Sequence, residues 1–257
     1  METYQEAIPD IERYIRNHDQ ELECYRPQYD ATRRNLERFH AIHPGQTKVL
    51  EIGVGTGWLP VLFRLDSVEC DGLEISWQLR EYAEAQAAAV GLKTSGVRLG
   101  NIETDDIGEN TYDIIVANSV FEHVEYWRPA LEKVYRALRP GGLFQFSSTN
   151  KFSFISGEHW FPLYGWLPDQ ARYKLRQMFD GPEIMKLGID FNQFRYPVLD
   201  AAFKKIGYSK VYDRTDMKDP TEFTGTKKMI LSASKNIGII RSLVRTFDPA
   251  TVVTCVK

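Results

Sequence analysis

Beyond residue 45 the chain alternates short apolar runs, bounded by glycine and aspartate, with longer stretches in which apolar residues recur at helical spacing. The runs at 48–52, 67–73, 97–99, 112–117 and 142–147 read as strands, and their alternation with helical segments predicts a parallel α/β sheet. The first 45 residues have a different texture. Tyr4, Ile8, Ile11 and Ile15 fall at i, i+4, i+7 and i+11, which predicts one helix, and a second is expected from about Pro27 to Ile42. The break between them is expected near Tyr25-Arg26-Pro27, because the residue before a proline is biased away from helix.

Several helix ends are legible. Ser76 is a good N-cap for a helix from Trp77 to Val90, and Gly91 stands where a left-handed C-terminal residue belongs. Leu131, Val134, Tyr135 and Leu138 form an apolar stripe that begins near Pro129 and is stopped by Pro140-Gly141-Gly142. Leu199, Ala202, Phe203 and Ile206 repeat that spacing before Gly207, and strands are expected at 208–212 and 251–256. No internal repeat or low-complexity tract is visible.

Composition narrows the class. With 257 residues, 43% hydrophobic and 26% charged, the chain is neither disordered nor fibrous, and a formal net charge of −3 implies no general polyanion-binding surface. Cys24, Cys70 and Cys255 form no C-x-x-C pair and read as buried thiols of a reducing compartment. The charged N-terminus lacks the apolar core of a secretory signal, and no run approaches the ~18 residues of a membrane span. A cytoplasmic protein without integral membrane association is expected.

The sharpest local signal is Glu51-Ile52-Gly53-Val54-Gly55-Thr56-Gly57, directly after the first strand and before a helix. Its glycines allow a tight turn and a close ligand approach. A dinucleotide fingerprint needs a small residue where this chain has Trp58, which disfavours NAD and FAD. The spacing is instead G-x-G-x-G, with an acidic residue two positions before the first glycine.

With these residues the chain resembles the class I S-adenosylmethionine-dependent methyltransferases, in particular their small-molecule branch of ubiquinone-pathway and polysaccharide-cluster enzymes. The resemblance covers residues 48–150 and continues more weakly through 199–212 and 251–257. It implies a Rossmann-like seven-stranded sheet in the order 3-2-1-4-5-7-6, with strand 7 antiparallel and helices on both faces. It also implies roles. Gly53, Gly55 and Gly57 would wrap the methionine part of the cofactor, with Glu51 organising the loop beneath its ammonium group. Glu74, 17 residues beyond Gly57, would accept two hydrogen bonds from the ribose hydroxyls, and Ile75 would pack on the adenine face. Asn101, followed by Ile102, stands where the family usually has aspartate, keeping a carbonyl for the adenine amino group. Asn118 would line the sulfonium end.

Methyl transfer from a sulfonium is an in-line displacement, and a hydroxyl acceptor must also lose its proton. His123, just beyond the fourth strand, is the first candidate base, with a structural bond to a backbone carbonyl as the other reading; His159 is the second candidate. Some ubiquinone-pathway relatives hold a divalent metal through Glu-x-x-Glu-His; the first position here is Ser119, so no metal is expected. Asn118-Ser119-Val120-Phe121 lacks the prolines of nucleic-acid amino methyltransferases, which argues against a nucleic-acid substrate. A small molecule or glycan accepting on oxygen is the leading reading. Transfer to nitrogen or carbon, and cofactor binding without catalysis, are the alternatives.

A single domain spanning 1–257 is expected. It comprises a helical extension (1–45), a cofactor-binding core (46–150), a substrate-side insertion (151–191) and a C-terminal part (192–257) with a lid-like insertion at 215–249. The segment 151–191 holds nine aromatics in 41 positions, against 12% for the chain. Those rings either wall an apolar pocket or sugar site, or form a mini-core that pins the insertion.

Overall fold

A computed structural model of the protein describes residues 11–155, 161–181 and 189–257. Seven strands form one sheet: β1 Lys48–Ile52, β2 Glu69–Glu74, β3 Val97–Leu99, β4 Tyr112–Asn118, β5 Leu138–Thr149, β6 Lys210–Asp213 and β7 Ala250–Val256. Their order is β3-β2-β1-β4-β5-β7-β6, as the resemblance implies. Strands β1 to β5 pair in parallel, and β7 runs antiparallel to both β5 and β6. Around the sheet lie α1 Ile11–His18, α2 Leu22–Glu37, α3 Trp58–Leu65, α4 Trp77–Ala89, α5 Trp127–Ala137, α6 Asp169–Asp180, α7 Tyr196–Ile206, α8 Arg214–Met217, α9 Gly225–Asn236 and α10 Gly238–Phe247.

The central strands are mostly apolar because alternate residues serve two cores. Leu50, Ile52, Ile115, Ala117, Phe144 and Phe146 pack with Leu131 and Val134 of α5 and Leu199 and Phe203 of α7. Val49, Ile114, Val116 and Leu143 face the other way, onto Tyr25, Tyr29 and Leu36 of α2 and Leu59, Leu62 and Phe63 of α3.

The break expected at Tyr25-Arg26-Pro27 does not occur: α2 passes through Pro27 and ends at Glu37. Tyr25 stacks on Trp58 with ring centroids 5.5 Å apart, and Tyr29 meets Phe63 edge-on at 5.1 Å. Arg26 and Arg33 pair with Asp66 at 3.1 and 2.8 Å. These contacts hold the helix on α3 and offset the roughly 3 kcal/mol cost of an interior proline. They also set which face of α2 turns inward, so Cys24 is exposed, against the expectation of a buried thiol, while Cys70 and Cys255 are buried.

The ends expected at Ser76 and Gly207 are found, whereas α5 ends at Ala137, before Pro140, because Leu138 already pairs in β5. The Ser76 side chain accepts from the Leu79 N–H at 3.3 Å, and Gly207 closes α7 at φ +118°. Strand β5 starts earlier than expected, at Leu138. Tyr112 pairs with Leu138 but Ile114 with Leu143, so 139–142 bulge from the ladder around Gly141 at φ +76°.

Candidate active site

The parallel registers bring the carboxyl ends of β1, β2 and β4 side by side: Ile52 pairs with Leu73 and with Ala117. A ligand crevice is expected at such a place. The loop from β1 to α3 lies there, with Gly53, Gly55 and Gly57 all in the left-handed region at φ +68°, +55° and +78°. A Cβ on Gly53 would collide with Val120, and one on Gly57 with Ala83 of α4. On Gly55 it would sit 3.0 Å from the Tyr14 hydroxyl of α1, so the N-terminal extension approaches the loop from outside.

Two carboxylates are buried at the loop. Glu51 Oε2 has no hydrogen-bond partner among the described residues, and burial, with the neighbouring Glu74 charge, pushes the Glu51 carboxyl well above the usual carboxylate range. Glu74 accepts from the Gly55 N–H at 3.1 Å through Oε2 and from the Ser76 N–H at 3.0 Å through Oε1. Burial raises its pKa to about 7, against the pull of those amides.

A folded-state pKa above the unfolded value stabilises the fold fully at low pH. That contribution is present below about pH 4.5 and is lost as pH rises through about 7. Glu74→Gln removes it. The urea midpoint of this variant is expected to gain on the wild type between about pH 5 and pH 8. A difference that does not change with pH would show that Glu74 titrates normally.

The other expected cofactor residues lie around this loop. Ile75 is half-buried at the end of β2, and Ile102 is buried in the core with Leu73. Asn101 is buried, and its Oδ1 accepts from the Glu103 N–H at 2.9 Å, so its first hydrogen bond shapes its own loop. Asn118 Oδ1, at the end of β4, accepts from Ser147 Oγ at 2.9 Å.

His123 belongs to a short 3-10 turn, Phe121–His123, after β4. Its Nδ1 faces the Ile189 carbonyl oxygen at 3.0 Å. Asn192 pins the same turn, donating from Nδ2 to the Val124 carbonyl at 2.7 Å and from its backbone N–H to that of Glu122 at 3.0 Å. Ser148 Oγ donates to Glu122 Oε2 at 2.7 Å. Next to Ile189, Asp190 forms a fully buried ion pair with Arg172 of α6, and it accepts from the Tyr164 hydroxyl at 2.8 Å. A cavity of about 300 Å3 beside the turn is lined by Trp127, Lys151, Asn192 and Arg195, among others.

Sequence patterning did not single out Ile189, Asp190, Asn192, Arg172 or Tyr14. A backbone carbonyl carries no residue signature, and a buried ion pair spanning 18 positions has no periodicity. The second candidate base, His159, lies outside the described residues. Phe152 and Phe154 of the insertion meet Trp166 at 5.4 and 5.9 Å, and Phe154 stacks on Phe247 of α10 at 5.3 Å. Phe154, Trp166 and Phe247 stay exposed, so these contacts tie the insertion to α10 at the surface. Among the described residues no group of three His, Cys, Asp or Glu side chains is placed to hold a metal ion, and no helix is long and apolar enough to cross a membrane.

Residues 23–219 match the family described as methyltransferase domain. The chain is 28% identical over 127 residues to a malonyl-[acyl-carrier protein] O-methyltransferase of Pectobacterium atrosepticum, covering 49% of this chain and 48% of that one. It is 25% identical over 124 residues to a ubiquinone biosynthesis O-methyltransferase of Photobacterium profundum, covering 48% and 53%. It therefore spans about half the length of these curated relatives. A methyltransferase of Haloferax volcanii, solved in complex with the Trm112 methyltransferase activator, superposes with a TM-score of 0.57 over 98% of this chain and 99% of that one. At 14% identity that likeness shows the fold alone. With three quarters of its length matched by the family, and the sheet order of that fold present, the chain belongs to the methyltransferase domain family, the class I S-adenosylmethionine-dependent methyltransferases.

Proposed function

We propose that the protein methylates a small molecule or glycan at a hydroxyl oxygen, with His123 taking the acceptor's proton. S-adenosylmethionine supplies an activated methyl group on a sulfonium. The loop fits this cofactor: Glu51 Oε2 is a buried acceptor without a partner among the described residues, beside Gly53 and Gly57, where a side chain would collide with its neighbours. Such an acceptor suits a ligand that brings a cation or hydroxyl donors. In this reading Glu51 serves the ammonium end and Glu74 the ribose hydroxyls. Ile75, Asn101 and Ile102 surround the adenine, and Asn118 borders the reacting centre.

The observation that carries the acceptor chemistry is the His123 contact with the Ile189 carbonyl. A carbonyl oxygen only accepts, so Nδ1 holds the proton and Nε2 of the neutral ring keeps its lone pair. That tautomer is the one a general base needs. The structural bond and the catalytic role, set as alternatives by the sequence, are thus compatible. The two curated relatives named above are O-methyltransferases, which supports oxygen as the acceptor atom. The free cysteines suit a reducing, cytoplasmic compartment.

The test has two arms. Titration calorimetry should show S-adenosylhomocysteine binding to the folded protein; absence of binding at high micromolar concentration would sink the reading. On an acceptor found by screening hydroxylated compounds, His123→Asn keeps an amide donor near the Nδ1 position for Ile189 but loses the basic nitrogen. It should lower kcat on the order of 10²-fold with S-adenosylhomocysteine affinity unchanged. Unchanged turnover removes His123 as the base, and binding without turnover across the panel favours a non-catalytic cofactor-binding protein.

A further inference from the structure

The helix α10 turns its polarity inside out, and the preceding α9 leaves apolar residues exposed as well. In α10, Ile239, Leu243 and Phe247 follow i, i+4, i+8 and are exposed, Ile239 by 72% and Leu243 by 54%. The arginines of the same helix point the other way. Arg241 Nε pairs with Asp213 at 3.0 Å, Arg245 also reaches Asp213, and Arg241 reaches Asp216. Asp213, at the end of β6, is almost completely buried, so it demands cations, and α10 supplies them from the face that an ordinary surface helix would give to water. The apolar face is left outward.

The outward surface continues beyond α10. Met229 and Ile230 of α9 and Ile237 at the bend are exposed by 67%, 47% and 47%, and Phe154 extends the patch through its stack on Phe247. The segment 225–247 contains five cations, Lys227, Lys228, Lys235, Arg241 and Arg245, and no acidic residue, in a chain whose net charge is −3. The three lysines are exposed and, among the described residues, are engaged in no ion pair.

We propose that this hairpin seats the protein on an anionic lipid surface, apolar side chains entering the headgroup boundary and the lysines meeting lipid phosphates. An amphipathic helix with bulky apolar residues on one side and flanking cations has that preference. A second copy of the chain is the poorer occupant, because a two-fold contact would set identical lysines against one another. The surface is peripheral, and the proposal is independent of the acceptor and of His123.

Flotation with vesicles tests it on the full chain. Binding is expected to phosphatidylcholine vesicles containing phosphatidylglycerol, and at least about tenfold weaker binding to phosphatidylcholine alone or at high salt. Ile239→Ser with Leu243→Ser, and separately Lys227→Gln with Lys228→Gln and Lys235→Gln, should each reduce binding by about tenfold or more while thermal unfolding stays that of the wild type. Failure to float with anionic vesicles overturns the proposal, as does equal binding to neutral ones or binding indifferent to these substitutions. A concentration-dependent dimer abolished by Ile239→Ser and Leu243→Ser, without vesicle binding, assigns the surface to a second copy instead. Retention by an acidic protein without vesicle binding assigns it to such a partner.

Discussion

Arg172→Met should destabilise the fold by about 3–5 kcal/mol, read as a fall in the urea midpoint. Both side chains of the Arg172–Asp190 pair are fully buried, so removing the guanidinium leaves a carboxylate without its charge partner in the interior. Arg172 also donates to the Asp190 carbonyl at 3.0 Å and to Asp169 at 2.8 Å. Replacing both partners, as Arg172→Met with Asp190→Leu, removes the buried charge and should recover much of the loss. Activity should not recover with it. Asp190 follows Ile189, the acceptor for His123, and Gln193 Nε2 and the Tyr164 hydroxyl also converge on Asp190, at 2.6 and 2.8 Å. A double variant that regains stability and full kcat would show that the pair holds only the insertion and does not orient the base.

Gly57→Ala is expected to cost about 2–6 kcal/mol and to abolish S-adenosylhomocysteine binding at concentrations that saturate the wild type. Two costs add. The left-handed backbone at φ +78° penalises any Cβ, and the new methyl would occupy the space of the Ala83 Cβ on α4. Ala83 is completely buried, so relief requires shifting α4 from the sheet, and with it the Ser76 cap and the Glu74 amide contacts. Gly91→Ala separates the terms. Its backbone is equally left-handed at φ +79° but nothing lies within 4 Å of the added carbon, so only the conformational cost of about 1–3 kcal/mol should appear, with binding intact. Equal losses in the two variants would place the whole penalty in the backbone and none in the helix contact.

The legible part of the site is the part made by local geometry. Gly53, Gly55 and Gly57 need positive φ within one turn, Ser76 caps the helix it precedes, and Glu74, at the end of β2, accepts from the Ser76 N–H two residues on. Each of these is decided within a few residues, where spacing carries the constraint. The strand order was reached by resemblance, and the two-sided apolar runs agreed with it.

What the linear chain concealed lies at long separations. Pro27 marks a break by local preference, yet Tyr25, Tyr29 and Asp66 hold α2 across it. His123 has no visible partner within its own segment, because the group that sets its tautomer is a carbonyl 66 positions away. The periodicity of α10 shows an amphipathic helix but not which side faces water. Asp213, buried on a neighbouring strand, settled that by drawing Arg241 and Arg245 inward. Short-range order follows from backbone sterics and side-chain period. The orientation of charges and the choice of hydrogen-bond partners follow from burial, which exists only once the chain has folded on itself.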